Sequence, residues 1–172
     1  VGRAGPGPGR SAVIDTSFWA AAFQAQLIGY LLRAFDVTVP PAVEREILAP
    51  NRNNPQLLYP QQALFQQLRG LMTSASPDVP QVVGSFGSGE RDAISTALHL
   101  DATLLINDRD PARYAQALQI RVLHVPDFVV LIRAQGLVTH ARARSMIDLA
   151  GRMTAPEIVT TGLQLLDELR DG

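Results

Sequence analysis

The sequence predicts an α/β fold, a parallel sheet flanked by helices on both faces. Three observations predict it. Short β-branched or aliphatic runs recur at Val13-Ile14, Val37-Thr38-Val39, Thr103 to Ile106 and Val122 to Val125. Between them lie segments whose apolar residues fall at helical spacing. The chain has 172 residues and is 47% hydrophobic, enough for one domain with a substantial core. Strands that alternate with helices pair in parallel, and right-handed crossovers then bring their carboxyl ends to one edge.

Residues 1–10 are rich in Gly and Pro and are expected to be a flexible arm or the remnant of a tag. Residues 11–135 carry the alternating pattern, and 136–172 are expected to be a helical extension packed on the same domain. Val13-Ile14 ends a first strand just before Asp15. Ser17 is placed to cap a helix, and Leu27, Ile28, Leu31, Leu32 and Phe35 carry that helix to about Ala34. Val37-Thr38-Val39 is a second strand, and Pro40-Pro41 opens the next helix. Pro50 to Pro55 is a loop, and residues 61–71 form a helix with its glutamines outward. Pro77 to Pro80 breaks the chain before a short strand at Val82-Val83. A Gly/Ser turn spans Gly84 to Gly89. Then come helix 89–100, strand Thr103 to Ile106, helix 111–118, strand Val122 to Val125 and helix Asp127 to Ala134. Residues 138–150 and 156–170 are helical, the last with Ile158, Val159, Gly162, Leu163, Leu166 and Leu169 on one face. There is no internal repeat.

Composition excludes several classes. The absence of cysteine removes disulfide scaffolds, thiolate zinc sites and cysteine catalysis. No apolar run approaches the ~20 residues of a membrane span, and the N-terminus shows no apolar signal segment. A soluble, cytoplasmic protein with no membrane partner is expected. The formal net charge of −1 gives no global attraction to nucleic acid or membrane. All 15 basic residues are arginine, which reads as a compositional bias of the source.

The acids fall in a pattern. Asp15 follows the first strand, and Asp108 sits two residues past Ile106. Glu44 lies in the helix after the second strand. Glu90, Ala93, Ile94, Ala97 and Leu98 make a helical stripe, which puts Glu90 on the buried face near the loop edge. A buried carboxylate is costly unless paired or bound to metal. Several carboxylates in one crevice repel one another, and a divalent cation removes the repulsion. Oxygen ligands without Cys or His suit Mg²⁺ or Mn²⁺ rather than zinc. Each acid taken singly also fits a bland role: Asp15 or Asp108 as a cap or turn, Glu44 as a solvated face residue beside Glu46.

As a set, these segments resemble the PIN domain, the small VapC-like nuclease fold of many toxin–antitoxin ribonucleases. Val13-Ile14-Asp15-Thr16-Ser17 resembles the family's first motif, and Pro41-Ala42-Val43-Glu44-Arg45-Glu46-Ile47 its second. Gly89-Glu90-Arg91-Asp92-Ala93-Ile94 is similar to a Gly-Glu-x-Glu/Asp-Ala pattern of a poorly characterised bacterial and archaeal branch. Leu104-Leu105-Ile106-Asn107-Asp108-Arg109 resembles the strand that ends in the family's last aspartate. The resemblance covers about residues 11–135. The third acid departs from it, being Glu rather than the more usual Asp.

The resemblance implies metal-dependent hydrolysis of RNA phosphodiester bonds, with Asp15, Glu90 and Asp108 holding one or two Mg²⁺ or Mn²⁺ ions. Glu44, with Glu46 as the alternative, would orient the attacking water or hold a second ion. Asp92 would be a more distant or second-ion ligand. Thr16 or Ser17 would fix the rotamer of Asp15. Arg91, Arg109 and Arg113 flank the acids and are the candidates for RNA phosphate contacts. The resemblance also implies a homodimer and a small antitoxin protein as partner. Phe18 and Trp19 read as core, and His99, His124 and His140 as ordinary structural or surface residues.

Other readings fit less well. A non-catalytic PIN-like module binding RNA or protein would not need the three acids. A covalent aspartyl phosphatase would want a second aspartate at position 17, which is serine. Gly84 to Gly89 lacks the Gly-Lys-Ser/Thr ending of a P-loop.

Overall fold

The computed structural model describes residues 10–77 and 85–171. Residues 1–9 and the expected strand at Val82-Val83 lie outside the described residues. Among the described residues five strands form one parallel sheet: β1 (Ser11–Ile14), β2 (Asp36–Val39), β3 (Thr73–Ser74), β4 (Thr103–Leu105) and β5 (Val122–Leu123). Their spatial order is β3-β2-β1-β4-β5. The chain therefore runs outward on one side of β1, then returns to build the other side. This reversal leaves a crevice beyond the carboxyl ends of β1 and β4, where open α/β sheets bind ligands.

The central strand is wholly apolar after its first residue, with Ala12, Val13 and Ile14 fully buried. That is the composition a strand covered on both faces requires. Val13 pairs with Thr38 on one side and with Leu104 on the other. The Asp15 N–H donates to the Leu105 carbonyl at 2.9 Å, so pairing continues into the first residue of the crevice.

Nine α-helices complete the described residues: α1 (Thr16–Gln24), α2 (Ile28–Ala34), α3 (Pro41–Ile47), α4 (Pro60–Leu68), α5 (Ser88–Leu100), α6 (Arg109–Ala117), α7 (Val125–Ala134), α8 (His140–Ala150) and α9 (Pro156–Asp171). The single helix expected up to Ala34 is two. Gln26 adopts φ 59°, its N–H donates to the Phe23 carbonyl, and the Leu27 N–H reaches back to Ala22. This is a Schellman ending, normally signalled by glycine. Asp101 (φ 48°) and Gln119 (φ 63°) end α5 and α6 in the same way.

The N-cap of α1 is Asp15, not Ser17, because the strand stops at Ile14. Nor do all the glutamines of α4 face outward. Gln62 is buried, and its Nε2 donates to the Ile47 and Ala49 carbonyls at 3.0 and 2.9 Å, closing the open end of α3. The third strand is Thr73–Ser74, an exposed two-residue edge.

Phe18 and Trp19 are buried. Trp19 stacks edge-on against Phe65 with centroids 5.0 Å apart, and its Nε1–H donates to the Gln61 carbonyl at 3.2 Å. Together these contacts fasten α4 over α1. At the other end, α8 buries Ala143, Met146, Ile147 and Ala150 against α1 and α7. The last helix, α9, packs on α7 and α8. Of its predicted apolar face, Ile158, Gly162 and Leu166 are buried, while Leu169 is exposed. Gly162 permits this packing: a Cβ there would lie 2.4 Å from Pro126 Cβ, which belongs to a rigid ring. Gly162→Ala is expected to destabilise the protein by about 1–3 kcal/mol, the usual range for overpacking. Urea unfolding measures it, and an unchanged midpoint would show that α9 can move away freely.

Candidate active site

Asp15 stands at the crevice on the end of β1 and is 2% exposed. Its Oδ2 accepts two hydrogen bonds from one residue, the Ser17 N–H at 2.9 Å and the Ser17 hydroxyl at 2.6 Å. Its Oδ1 is buried with no hydrogen-bond partner. Burial pushes the carboxyl up to about 6; the Ser17 bonds and the Thr16 backbone N–H oppose the rise, and the nearby negative charge of Asp108 adds to it.

Asp108 follows β4 across the crevice, exposed, at the N-cap position of α6 without a side-chain cap bond. Between the two strand ends lies Asn107, 1% exposed. Its backbone N–H donates to Ser17 Oγ at 3.0 Å. The Ser17 hydroxyl therefore joins the two strand ends at the point where both aspartates emerge.

The two glutamates of α3 separate. Glu44 turns toward Arg69, whose Nε and Nη2 both lie 2.9 Å from its Oε2. The same arginine donates from Nη1 to the Met72 carbonyl at 3.0 Å, so Glu44 braces the entry to β3. Glu46 lies on the other side. Its Oε2 accepts from the Thr16 hydroxyl at 3.0 Å, and its Oε1 accepts from the Gly89 N–H at 2.8 Å and the Ser88 hydroxyl at 3.3 Å. A carboxylate at the N-terminus of α5 is favoured by the orphan N–H groups and the helix dipole. Glycine at position 89 leaves room for this approach: a Cβ there would sit 2.2 Å from Glu46 Oε2, and the flexible carboxylate would have to move aside.

Glu90 is half-buried, and its Oε2 accepts from the Gly87 N–H at 2.8 Å. It closes the first turn of its own helix, the reciprocal half of a capping box. Asp92, two residues further on, is also half-buried. Among the described residues no group of three or more His, Asp or Glu side chains is placed to share an ion. The structure thus brings Asp15 and Asp108 together, and sets Glu90 and Asp92 outside that pair.

The donors of this pair fit a hard divalent cation. A buried carboxylate oxygen without a donor lacks the compensation that burial demands, and a cation would supply it. Mg²⁺ in particular is held by one or two carboxylates, with waters and substrate phosphates completing its shell.

Of the basic candidates, Arg91, Arg109 and Arg113 are all exposed. Arg109 is engaged, donating to Asp110 at 3.0 Å and to Glu157 at 3.1 Å. Arg113 lies one turn further along α6 and lines a cleft with Gln116, His124 and Thr161. His124 is the N-cap residue of α7, its Nδ1 lying 2.8 Å from the Ile106 carbonyl. Asn107 had no distinct sequence signal beyond its place before Asp108.

A parallel sheet with paired aspartates at its switch-point crevice defines an α/β domain whose site is acidic and oxygen-rich. The chain belongs to the PIN-domain family: residues 11–168 match the family model described as DUF3368, PIN domain. No curated protein matches the sequence. Among solved structures it is similar to a PilT N-terminus domain protein from the hyperthermophilic archaeon Sulfolobus solfataricus P2. The identity is 16%, the match covers 66% of this chain and 85% of that one, and the TM-score is 0.42. No helix among the described residues is long and apolar enough to cross a membrane.

Proposed function

We propose that this PIN domain is a Mg²⁺- or Mn²⁺-dependent endoribonuclease centred on Asp15 and Asp108. The observation that carries the reading is the buried Asp15 carboxylate, whose Oδ1 is left without a donor beside a second aspartate. Family membership supports it, since PIN domains are typically nucleases.

In this reading Asp15 Oδ1 and the Asp108 carboxylate would hold the ion. A bound divalent ion lowers the pKa of its water and stabilises charge on the scissile phosphate. Ser17 occupies Oδ2 twice and so keeps the rotamer of Asp15 fixed. Glu46 holds Thr16 and the start of α5 at the rim. Glu90 and Asp92 act from outside the pair, as supports or as ligands of a second ion. Arg91 and Arg113 offer positive charge to an RNA backbone that the aspartates would otherwise repel. A homodimer, and a small antitoxin that blocks the acidic crevice, belong to the same proposal.

The test is cleavage of a labelled single-stranded RNA with Mn²⁺, with EDTA, and with Asp15→Asn and Asp108→Asn. Cleavage that needs the metal and both aspartates is expected, with Glu90→Gln costing less than either. RNA binding without cleavage in any condition would instead favour a non-catalytic module, a reading suggested by the absence, among the described residues, of a third acid grouped with the pair.

A further inference from the structure

Asp15 is tied, link by link, to the far end of the chain. Thr154, buried between the 3-10 turn Gly151–Met153 and α9, donates its hydroxyl hydrogen to the Ala150 carbonyl at 2.8 Å. The same oxygen accepts from Asn107 Nδ2 at 2.6 Å. The second Nδ2 hydrogen goes to the Met153 carbonyl at 2.9 Å, and Asn107 Oδ1 accepts from the Val125 N–H at 3.3 Å. Both amide donors and the acceptor are therefore used, which fixes the side chain and its flip. The Asn107 N–H then donates to Ser17 Oγ, and the Ser17 hydroxyl donates to Asp15 Oδ2.

An apolar pair at 107 and 154 would dock the C-terminal helices at less desolvation cost. Here a buried polar chain does so, with every link satisfied, and it ends on Asp15 Oδ2, the oxygen bonded to the same carboxyl carbon as the unpartnered Oδ1. Such a chain orients what it ends on. We infer that Asn107 and Thr154 are positioning residues: the turn between α8 and α9 fixes the end of β4 and, through Ser17, the rotamer of Asp15. The functional meaning of that rotamer rests on the nuclease reading; the relay itself does not.

The test uses Thr154→Val, which removes the hydroxyl at constant shape, and Thr154→Ser, which keeps it. Two readouts are taken: amide hydrogen exchange by NMR in EDTA, and Mn²⁺ affinity by calorimetry. In Thr154→Val, exchange at Ser17 and Asn107 is expected to rise at least about tenfold, with Met146 and Ile147 of α8 unchanged. Mn²⁺ affinity is expected to fall about 10-fold or more, the size of effect seen for groups that orient metal ligands. Thr154→Ser is expected to restore both. Unchanged exchange at Ser17 and Asn107 would overturn the inference. So would faster exchange spread over α8 and α9, which marks a structural tie alone. Thr154→Ala serves as the second hydroxyl-free variant if Val does not fold, with the same two outcomes. Should the wild type bind no Mn²⁺, the nuclease reading falls, and the exchange data alone decide the relay.

Discussion

Asp15→Asn is expected to abolish metal-dependent cleavage and, in EDTA, to make the protein more stable above about pH 6. The two effects have one origin. In the unfolded chain this carboxyl titrates at 3.8, and in the folded chain burial lifts it to about 6. Below the lower value both states are protonated and the site costs nothing. As pH rises between the two values, the folded state holds a proton that the unfolded state has lost, so stability falls. Above the upper value the full penalty is present, about 3 kcal/mol for a rise from 3.8 to about 6. Asparagine does not titrate, so its advantage should open between about pH 4 and pH 6 and stay constant beyond. Part is offset, because an amide oxygen is a weaker acceptor for the two Ser17 bonds and Nδ2 would lack a partner where Oδ1 stood.

Urea unfolding in EDTA at about pH 4 and about pH 7.5 measures the gap. Mn²⁺ adds a second comparison: it should stabilise the wild type more than the variant, which keeps only the Asp108 carboxylate of the proposed pair. A variant that is less stable than the wild type at both pH values would mean that the carboxylate is well compensated in the apo protein. The case for an ion at Oδ1 would then fail, whatever the nuclease assay shows.

The aspartates were legible because strand ends are legible. A β-branched run followed by an acid puts that acid at the carboxyl edge of a parallel sheet, and neither Asp15 nor Asp108 needs tertiary detail to be placed there. What escaped the sequence depends on local choices that carry no letter code. Gln26, Asp101 and Gln119 end helices in a left-handed conformation with no glycine to announce it. Thr73–Ser74 pairs as an exposed edge of two residues, too short for any alternation to show. Gln62 looks like one of several surface glutamines, yet it is the one turned inward to the end of α3. Glu90 sits on the apolar stripe as its spacing requires, but its oxygen is taken by the Gly87 N–H of its own first turn. The Asn107–Thr154 contact joins residues 47 positions apart, and nothing in either neighbourhood points to the other.

Glu46 and Glu44 give the sharpest contrast of that kind, because two positions along α3 separate a rim residue from a brace. Periodicity alone permits either to face the crevice, and the packing of α3 against α1 and α5 decides. Glu46 accepts from Thr16, the residue after Asp15, and from the two residues that open α5. Glu46→Gln would keep the shape and remove the charge that the α5 N-terminus attracts, while turning one acceptor into a donor that faces other donors. RNA cleavage is expected to fall about 10–100-fold, the cost of loosening a group that orients a metal ligand. Gly89→Ala should reproduce that loss without touching the glutamate, because the new Cβ occupies the place of Oε2 and drives the carboxylate off the helix end. Glu44→Gln should leave cleavage within about twofold. Its partner Arg69 is partly exposed, and such pairs contribute about 0–1 kcal/mol, felt at the entry to β3 rather than at the crevice. Measuring kcat/KM for the three variants against one RNA separates the roles. Equal losses at Glu44 and Glu46 would show that the crevice depends on α3 as a whole. A large loss at Glu44 alone would mean that its bond to Arg69 gives way when substrate binds.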